Sequence, residues 1–141
     1  MGEARDVLDR VTEAVMSSDE DTLRSLYAEN ASIETPDQGT LTGGDAIVGW
    51  LVGFSKAFPD VSWEPLHEHE AGNTAIDEGY VVGTHTGPLD APTGESIPPT
   101  GKRIRVRSVD LATVEDGAVT SHRFYFDQMD FLGQLGLAPE A

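Results

Sequence analysis

The sequence predicts a single α+β domain in which helices pack on one face of a curved antiparallel sheet. Two observations favour this fold class. Before Pro59, apolar residues recur at three- and four-residue spacing, which is typical of amphipathic helices. After Pro59 the period changes to two, which is typical of half-buried strands. The length of 141 residues fits one domain, so we expect residues 1–141 to form one unit.

Four elements are predicted before Pro59. They are, in chain order, a helix over residues 4–17, a short helix that Ser18 or Asp19 can cap, a strand over 31–35 and, beyond a turn at 36–39, a helix that follows residues 43–45. Pro59 ends this last helix because proline lacks an amide hydrogen and its ring clashes with the preceding turn.

After Pro59 the pattern predicts two hairpins and a last helix. In chain order they are a strand over 61–70 and its return over 74–85, a second pair of strands over 103–114 and 118–127, and a short helix over 130–135. Residues 86–101, which join the hairpins, hold four of the eight prolines of the chain. A segment this long and rich in proline is expected to be a rim or lid loop without regular structure, or a mobile segment.

The composition argues against several kinds of partner and site. The 25 acidic residues outnumber the 9 basic ones, and the formal net charge of −16 repels phosphate backbones and anionic lipids. We therefore expect neither nucleic-acid nor membrane binding, and no stretch approaches the ~20 apolar residues of a membrane span. The chain has no cysteine, which excludes disulfides, thiolate metal sites and a cysteine nucleophile. These features indicate a cytoplasmic protein with a small-molecule pocket.

Several short motifs, taken in order, are similar to those of one known family. They are the segments 41–47, 57–60, 83–87, 98–101, 126–128 and 134–136, which read LTGGDAI, AFPD, GTHTG, PPTG, FDQ and QLG. Together they resemble the SnoaL-like polyketide cyclases of the nuclear-transport-factor-two-like superfamily. The resemblance implies a cone-shaped α+β barrel with a deep apolar pocket, a hydrophobic small-molecule ligand and a homodimer.

The catalytic residues of that family do not carry over to this chain. The resemblance places the family's last-strand carboxylate at Phe124, and its supporting Gln and His at Ser108 and Asp110. Segment 123–127 also resembles the last strand of limonene-1,2-epoxide hydrolases. Their last-strand Asp again falls on Phe124, and the Arg and Asp of their middle strand fall on Gly79 and Val81.

Strand alternation gives an independent set of candidates. On the last strand His122, Phe124 and Phe126 share one face, which we expect to line the pocket and contact the substrate. On the strand before it, Ser108 and Asp110 lie on a face that is otherwise apolar, while the arginines of that strand lie on the other face.

Asp110 is the carboxylate that we expect to be catalytic. A carboxylate on an apolar face is suited to general acid/base catalysis because burial disfavours its charged form. His122 is its expected partner, and a hairpin turn centred near Asp116 would place the two residues directly opposite each other. The alternatives are a structural Asp at a strand end and a buried His bonded to a backbone carbonyl.

Three further polar residues have two interpretations each. Asp127 matches both families and could be catalytic, yet its position before the last helix favours an N-cap. Asp77 could line the same cavity, although its neighbour Glu78 favours a solvent-facing role. His85 could lie at the pocket mouth and contact substrate, or stabilise a turn through a hydrogen bond.

Three aromatic residues extend the candidate pocket. Trp50, Trp63 and Tyr27 are large enough to belong either to the core or to the wall of a cavity. Because a cone encloses its cavity with core-type side chains, we expect these three to contact the ligand.

Segment 67–70, which reads HEHE, looks at first like a cluster of metal ligands. On a strand, however, the two His side chains would lie on one face and the two Glu side chains on the other, which leaves two ligands on each. We therefore predict an exposed hairpin arm, with no metal site and no cofactor.

These observations favour a small-molecule enzyme that uses cofactor-free acid/base catalysis for a cyclisation, isomerisation or hydration of an apolar, polyketide-type substrate. One alternative is a non-catalytic ligand-binding protein of the same fold, which Phe124 at the family's catalytic position favours. Another is an enzyme similar to epoxide hydrolases with relocated carboxylates.

Overall fold

The protein is described by a computed structural model that covers residues 2–91 and 94–137. Its elements in these ranges are α1 (Glu3–Met16), α2 (Glu20–Leu26), β1 (Tyr27–Thr35), β2 (Gly39–Thr42), α3 (Gly44–Ala57), β3 (Ser62–Ala71), β4 (Thr74–Thr84), β5 (Leu89–Asp90), β6 (Ser96–Ile97), β7 (Arg103–Glu115), β8 (Ala118–Phe126) and α4 (Gln128–Gln134). The predicted helices and the two predicted hairpins are confirmed. The strand β2 was not predicted, and β1 begins four residues earlier than expected, at Tyr27.

Six strands form one curved sheet in the order β2-β1-β8-β7-β4-β3. Neighbouring strands are antiparallel except for β1 and β8, which are parallel. The expected antiparallel sheet is therefore confirmed apart from this pair. A parallel pair needs a crossover connection, and here the rest of the sheet and α3 lie between the two strands in sequence. The pairing brings the first strand of the chain beside the last.

The helices α1 and α3 cover one face of this sheet. Their apolar stripes supply Leu8, Val11, Ile47 and Val48 to a buried core, where they pack with Ile33 and other residues of the sheet. These stripes are the helix faces on which the sequence predicts apolar residues. Burial of such side chains stabilises the fold by roughly 1.5–3 kcal/mol for each large residue.

One charged residue interrupts the buried face of α1. Arg5 is only 1% exposed, although arginine is almost never fully buried unless it has a partner. Its partners are described with the candidate site below.

The segment that joins the two long hairpins contains one short pair of strands that was not predicted. Within 86–101, β5 and β6 pair with each other as a short separate hairpin. The backbone amides of Thr86 and Gly87 donate to the carbonyl of Ala57, which fixes the start of the segment to the end of α3. The other described residues of the segment have no helix or strand, so the predicted loop is confirmed apart from this short pair.

Two smaller structural findings bear on the predictions. Asp19 rather than Ser18 caps α2, since its side chain accepts a hydrogen bond from the amide of Thr22 at 3.1 Å. Within residues 2–91 and 94–137, no helix is long and apolar enough to span a membrane.

Candidate active site

A cavity of about 580 Å³ lies between the helices and the sheet. Its wall is mostly aliphatic and aromatic. The apolar side chains that line it include Val15, Leu41, Trp50, Phe54, Trp63, Val81, Ile97, Val106, Phe124, Phe126 and Phe131. Ser108, Asp110 and His122 form a polar part of this wall. The cavity therefore combines a large apolar surface with one small group of polar side chains.

Asp110 and His122 contact each other at the polar part of the wall. Oδ2 of Asp110 lies 2.7 Å from Nε2 of His122, and the two side chains are 9% and 2% exposed. A contact between these residues was expected, but the predicted register is wrong. Asp110 lies opposite Phe124, and His122 lies opposite Ala112, so the contact runs diagonally across the β7–β8 ladder.

The register differs from the prediction because the second hairpin contains a bulge. Near the turn Val114 lies opposite Val119, but the next pair is Thr113 with Ser121. Thr120 is therefore an extra residue on β8 that has no counterpart on β7. The bulge shifts the residues of β8 along β7 while the alternation of side chains on β7 is unchanged. The pattern of apolar residues on one strand therefore does not show that the register has shifted.

Tyr27 holds His122 from the side opposite to Asp110. Its hydroxyl oxygen lies 2.8 Å from Nδ1 of His122, and the Tyr27 side chain is buried in the core. The expectation that Tyr27 contacts the ligand is wrong, because its ring packs behind the imidazole and does not line the cavity. Burial, assisted by the charge of Asp110, raises the pKa of Tyr27 above its usual range, so the phenol stays protonated.

The three side chains form one hydrogen-bonded chain. With Asp110 ionised, Nε2–H of His122 donates to Asp110, which leaves Nδ1 free to accept from the Tyr27 hydroxyl. This arrangement satisfies both imidazole nitrogens and fixes one tautomer. Among the described residues Oδ1 of Asp110 has no hydrogen-bond partner, and Asp110 lines the cavity, so this oxygen is the one available to a ligand.

Phe124 and Phe126 line the cavity, as expected. The Phe124 ring lies edge-on to Trp50 and to the His122 imidazole, with centroids 6.0 Å and 6.2 Å away. Phe124 thus forms an apolar wall beside the imidazole, where the family resemblance would place a carboxylate. Ser108 also lines the cavity, and its hydroxyl donates to the carbonyl of Val106 at 3.3 Å.

Trp50 from α3 and Trp63 from β3 line the cavity too, as expected. The Trp63 ring lies against Gly79 on the neighbouring strand. A Cβ atom added at Gly79 would be 2.9 Å from that ring and 2.2 Å from the carbonyl oxygen of Glu64. Any larger residue at position 79 would therefore displace the β3 backbone as well as the indole, so Gly79 fixes this part of the wall.

Asp77 does not line this cavity and does not face solvent. It is 2% exposed and lies on the wall of a second cavity of about 350 Å³, which shares Thr12, Met16 and Trp63 with the first. Nη1 of Arg5 lies 2.7 Å from Oδ1 of Asp77. Burial raises the pKa of Asp77 to about 6 although Arg5 opposes the shift. Both sequence interpretations of Asp77 are wrong, because its long-range partner on α1 was not visible in the strand pattern.

His85 is a buried structural residue. Its Nδ1 accepts a hydrogen bond from the amide of Thr100 at 3.1 Å, and its ring stacks on Phe58. Burial lowers the pKa of His85, which keeps the imidazole neutral. The interpretation as a turn-stabilising residue is confirmed. The expectation of substrate contact is wrong, since His85 is 0% exposed and does not line the cavity.

Asp127 caps the last helix. It is exposed, and its Oδ1 accepts a hydrogen bond from the amide of Asp130 at 3.0 Å. Asp127 does not line the cavity. The N-cap interpretation is therefore confirmed, and the structure gives no support to a catalytic role.

The exposed segment from His67 to Glu70 lies on the outer strand β3. Its last residue has a structural function, because the carboxylate of Glu70 accepts hydrogen bonds from the amides of Gly2 and Arg5 at the start of α1. In the part of the chain that the structure describes, no group of three or more His, Cys, Asp or Glu residues is placed to hold a metal ion.

The sequence reasoning missed two features of this region. The first is Arg5, whose only signal was a position between the stripe residues Ala4 and Leu8, with Asp9 one turn away. The second is the segment 37–41, which places Gln38 and Leu41 in the cavity wall. The turn at 36–39 was predicted but the strand β2 after it was not, so the sequence did not indicate that this segment covers a cavity.

Of the comparisons with known proteins, a family profile identifies the family and the solved structures identify the fold. The profile of the SnoaL-like domain matches residues 8–122. A search among curated proteins gives no match. Similar solved structures include a proposed SnoaL-like polyketide cyclase from Jannaschia sp. CCS1, with a TM-score of 0.83 and 18% identity over 98% of this chain and 94% of that chain.

Two further solved structures are similar. IdmH from Streptomyces antibioticus, a proposed polyketide cyclase, has a TM-score of 0.76 and 25% identity over 96% of this chain and 99% of that chain. An epoxide hydrolase from M. tuberculosis that resembles the limonene enzymes has a TM-score of 0.71 and 19% identity over 95% of this chain and 90% of that chain. The predicted α+β fold is thereby confirmed.

Proposed function

The chain belongs to the SnoaL-like domain family, and from the side chains of its cavity we propose that it is an enzyme that moves protons on an apolar, polyketide-type small molecule. Fold alone does not identify a reaction, because this kind of fold carries cyclases and epoxide hydrolases alike. The proposal therefore rests on the site.

The observation that carries the proposal is the Asp110–His122 pair. A carboxylate and an imidazole in hydrogen-bond contact, buried at the wall of an apolar cavity, are the components of general acid/base catalysis. The imidazole is held at both nitrogens, which orients the carboxylate before a ligand enters. The apolar wall limits competition from water.

The proposed chemistry is an enolisation followed by bond formation. Asp110 takes the proton from a carbon next to a ketone, and the electron pair of that C–H bond becomes the enolate. In a cyclisation the enolate carbon forms a C–C bond with a second carbonyl carbon, and the carbonyl oxygen receives the proton from Asp110. In an isomerisation Asp110 returns the proton to a different carbon. Neither sequence of steps needs a cofactor.

The charges of the cavity wall favour an uncharged substrate. Among the described residues that line the cavity there is no Lys and no Arg, while Asp37, Asp90 and Asp110 carry carboxylates. An anionic ligand would meet repulsion at these three positions and find no countercharge. We therefore propose a neutral ketone or polyketone as the substrate class.

Deuterium exchange tests the proposed chemistry without the natural substrate. The protein is incubated with 1-tetralone or 4-chromanone in heavy water, and uptake of deuterium next to the carbonyl is measured by mass spectrometry. Wild type is expected to exceed the rate in buffer, and Asp110→Asn to fall to that rate while remaining folded. The matched control is Asp116→Asn, an exposed residue in the turn of the same hairpin. An active Asp110→Asn variant would contradict the assignment.

The second candidate function is ligand binding without catalysis. Phe124 favours it, because an apolar ring stands where the resemblance to cyclases places a carboxylate. A thermal-shift comparison separates the two functions together with the exchange assay, since a ligand that binds only the folded protein raises its melting temperature. The binding function would be favoured by two results together. 2-Naphthol but not 2-naphthoate would raise the melting temperature, and the ketones would take up no deuterium above the rate in buffer.

We also propose that the chain forms a homodimer through the outer face of the sheet. This face carries Tyr125, which is 46% exposed, and an arginine-rich stretch of β7 in which Arg105 stacks on Tyr80. A basic stretch on one face contrasts with the net charge of −16 of the whole chain and could pair with an acidic surface of a second copy. Light scattering after size exclusion is expected to give twice the monomer mass of 15.1 kDa, and Tyr125→Lys to shift it toward the monomer.

A further inference from the structure

Two buried carboxylates lie side by side on neighbouring strands. Asp77 on β4 is the direct partner of Asp110 on β7 in the antiparallel register, and directly opposite residues share a face of the sheet. Counted over the whole residue, Asp77 is 2% exposed and Asp110 is 6% exposed. Two like charges at cross-strand distance in the interior repel each other strongly unless a countercharge is present.

Arg5 supplies that countercharge. Its guanidinium lies 2.7 Å from Asp77 through Nη1, and on its outer side 2.7 Å from Asp9 through Nη2. Burial lowers the pKa of Arg5, but the ion pairs with Asp77 and Asp9 outweigh it and raise the pKa above the usual value, so the guanidinium stays charged. Contacts join Arg5 to Asp77 and join Asp110, His122 and Tyr27 to one another, and the strand pairing of Asp77 with Asp110 places the two groups side by side.

We propose that Asp77 and Arg5 are positioning residues that set how tightly the Asp110–His122 pair holds its proton. The inference rests on the proposed function, in which this pair moves protons. The charge of Asp77 favours a proton on the pair, and the charge of Arg5 opposes it. Neither residue lines the main cavity, so both act on the substrate only through Asp110 and His122.

The other charged groups around Asp77 do not replace this arrangement. Glu68 lies opposite Asp77 on β3, but its side chain is 41% exposed and 3.7 Å from Arg5. Asp9 contacts Arg5 with a side chain that is 54% exposed. Water screens both of these carboxylates much more than it screens Asp77. Tyr27 stays neutral, so Asp77 and Arg5 are the nearest buried charges to the pair.

The test is the titration of His122 by NMR in the full-length protein with labelled histidines, with His122→Gln used for assignment. Asp77→Asn removes a negative charge and is expected to lower the pH at which the His122 ring becomes protonated by about two units, from Coulomb's law at ~6 Å and an effective dielectric constant of about 20. The double variant Arg5→Met with Asp77→Asn removes both charges and is expected to return the midpoint toward wild type.

The matched control is Asp9→Asn, which loses a carboxylate of the same ion-pair group on its exposed side and is expected to shift the midpoint less. An unchanged midpoint in Asp77→Asn, or a double variant no closer to wild type than the single one, would overturn the proposal. If Asp77 and Arg5 were only structural, the added Arg5→Met substitution would not reverse the change in the His122 midpoint that Asp77→Asn causes.

A second measurement needs no variant to fold. In the unmodified protein the ¹³Cγ resonance of Asp77 and the ring resonances of His122 are expected to share an inflection, since coupled groups titrate together. Independent titration curves would overturn the proposal. Neither measurement depends on turnover. The outcome of this test can therefore be distinguished from the outcome of the deuterium exchange assay, which tests the proposed function.

Discussion

Tyr27 and Asp110 lie on strands that do not pair with each other, yet both contact the same imidazole on the strand between them. The parallel pairing of β1 with β8 makes this possible, because it brings the first strand of the chain next to His122. The imidazole is therefore held from both sides before any ligand enters. Preorganisation of this kind removes the cost of orienting the side chain during the reaction.

Replacement of His122 by Gln is expected to lower the deuterium exchange rate of 1-tetralone by about 10²-fold or more, the range typical for loss of a general acid/base group. Glutamine keeps a polar side chain of similar length but cannot share the proton of Asp110. The 2-naphthol thermal shift is expected to persist, since the apolar wall is unchanged. A rate equal to that of wild type would remove His122 from the proposed chemistry.

Replacement of Tyr27 by Phe is expected to affect both stability and rate. Nδ1 of His122 loses its donor in a buried position, which costs about 1–3 kcal/mol of the free energy of unfolding. Because the imidazole is then less firmly oriented, the exchange rate is expected to fall by on the order of tenfold, equivalent to one hydrogen bond. Urea denaturation and the exchange assay measure the two effects. A full wild-type rate in the variant would mean that Tyr27 only fills space.

The raised pKa of Asp77 has a consequence for the pH dependence of stability. Its folded-state pKa of about 6 lies above the ordinary 3.8, so between these values the folded protein binds the proton more tightly than the unfolded chain does. This contribution to the free energy of unfolding is present below about pH 4 and is lost as the pH rises through 6.

Asp77→Asn has no carboxyl group to titrate at this position. The stability advantage of wild type over this variant is therefore expected to be larger at pH 4.5 than at pH 7, by about 2 kcal/mol. Urea denaturation of both proteins at the two pH values measures it. A difference that does not depend on pH, or that grows toward pH 7, would show that the ion pair with Arg5 outweighs burial.

Asp127→Ala separates the N-cap from catalysis. Loss of the side-chain hydrogen bond to the amide of Asp130 is expected to cost about 0.5–2 kcal/mol of the free energy of unfolding. The exchange rate of 1-tetralone is expected to stay at the wild-type value, because Asp127 lies outside the cavity wall. A large loss of rate at unchanged stability would return Asp127 to the candidate catalytic residues.

Much of the fold and part of the site could be predicted from local patterns. The change of period at Pro59 separates helices from strands, and alternation on the last two strands places Ser108, Asp110, His122 and Phe124 on the cavity face. Both patterns depend on which side of an element is buried, and burial leaves a trace in the order of apolar residues. The Asp19 and Asp127 caps are equally local, since a cap bonds to an amide three residues away.

The partners of the buried polar groups could not be predicted in this way. Arg5 meets Asp77 across more than seventy residues of sequence, and Tyr27 meets His122 across 95. A bulge at Thr120 changes the register of the hairpin without leaving a signal in the alternation. These contacts arise only when distant strands and α1 come together, so the pattern of one strand contains no information about them.

The amino-acid sequence by itself therefore determined the α+β architecture and the face on which Asp110 and His122 lie, because both follow from periodic burial within single elements. Only the tertiary structure decided that Tyr27 holds His122 from behind, that Asp77 is buried against Arg5 and that His85 and Asp127 are structural. The reason is that the protonation and role of a polar side chain depend on its neighbours in space, and in this protein those neighbours come from strands and helices far apart in the chain.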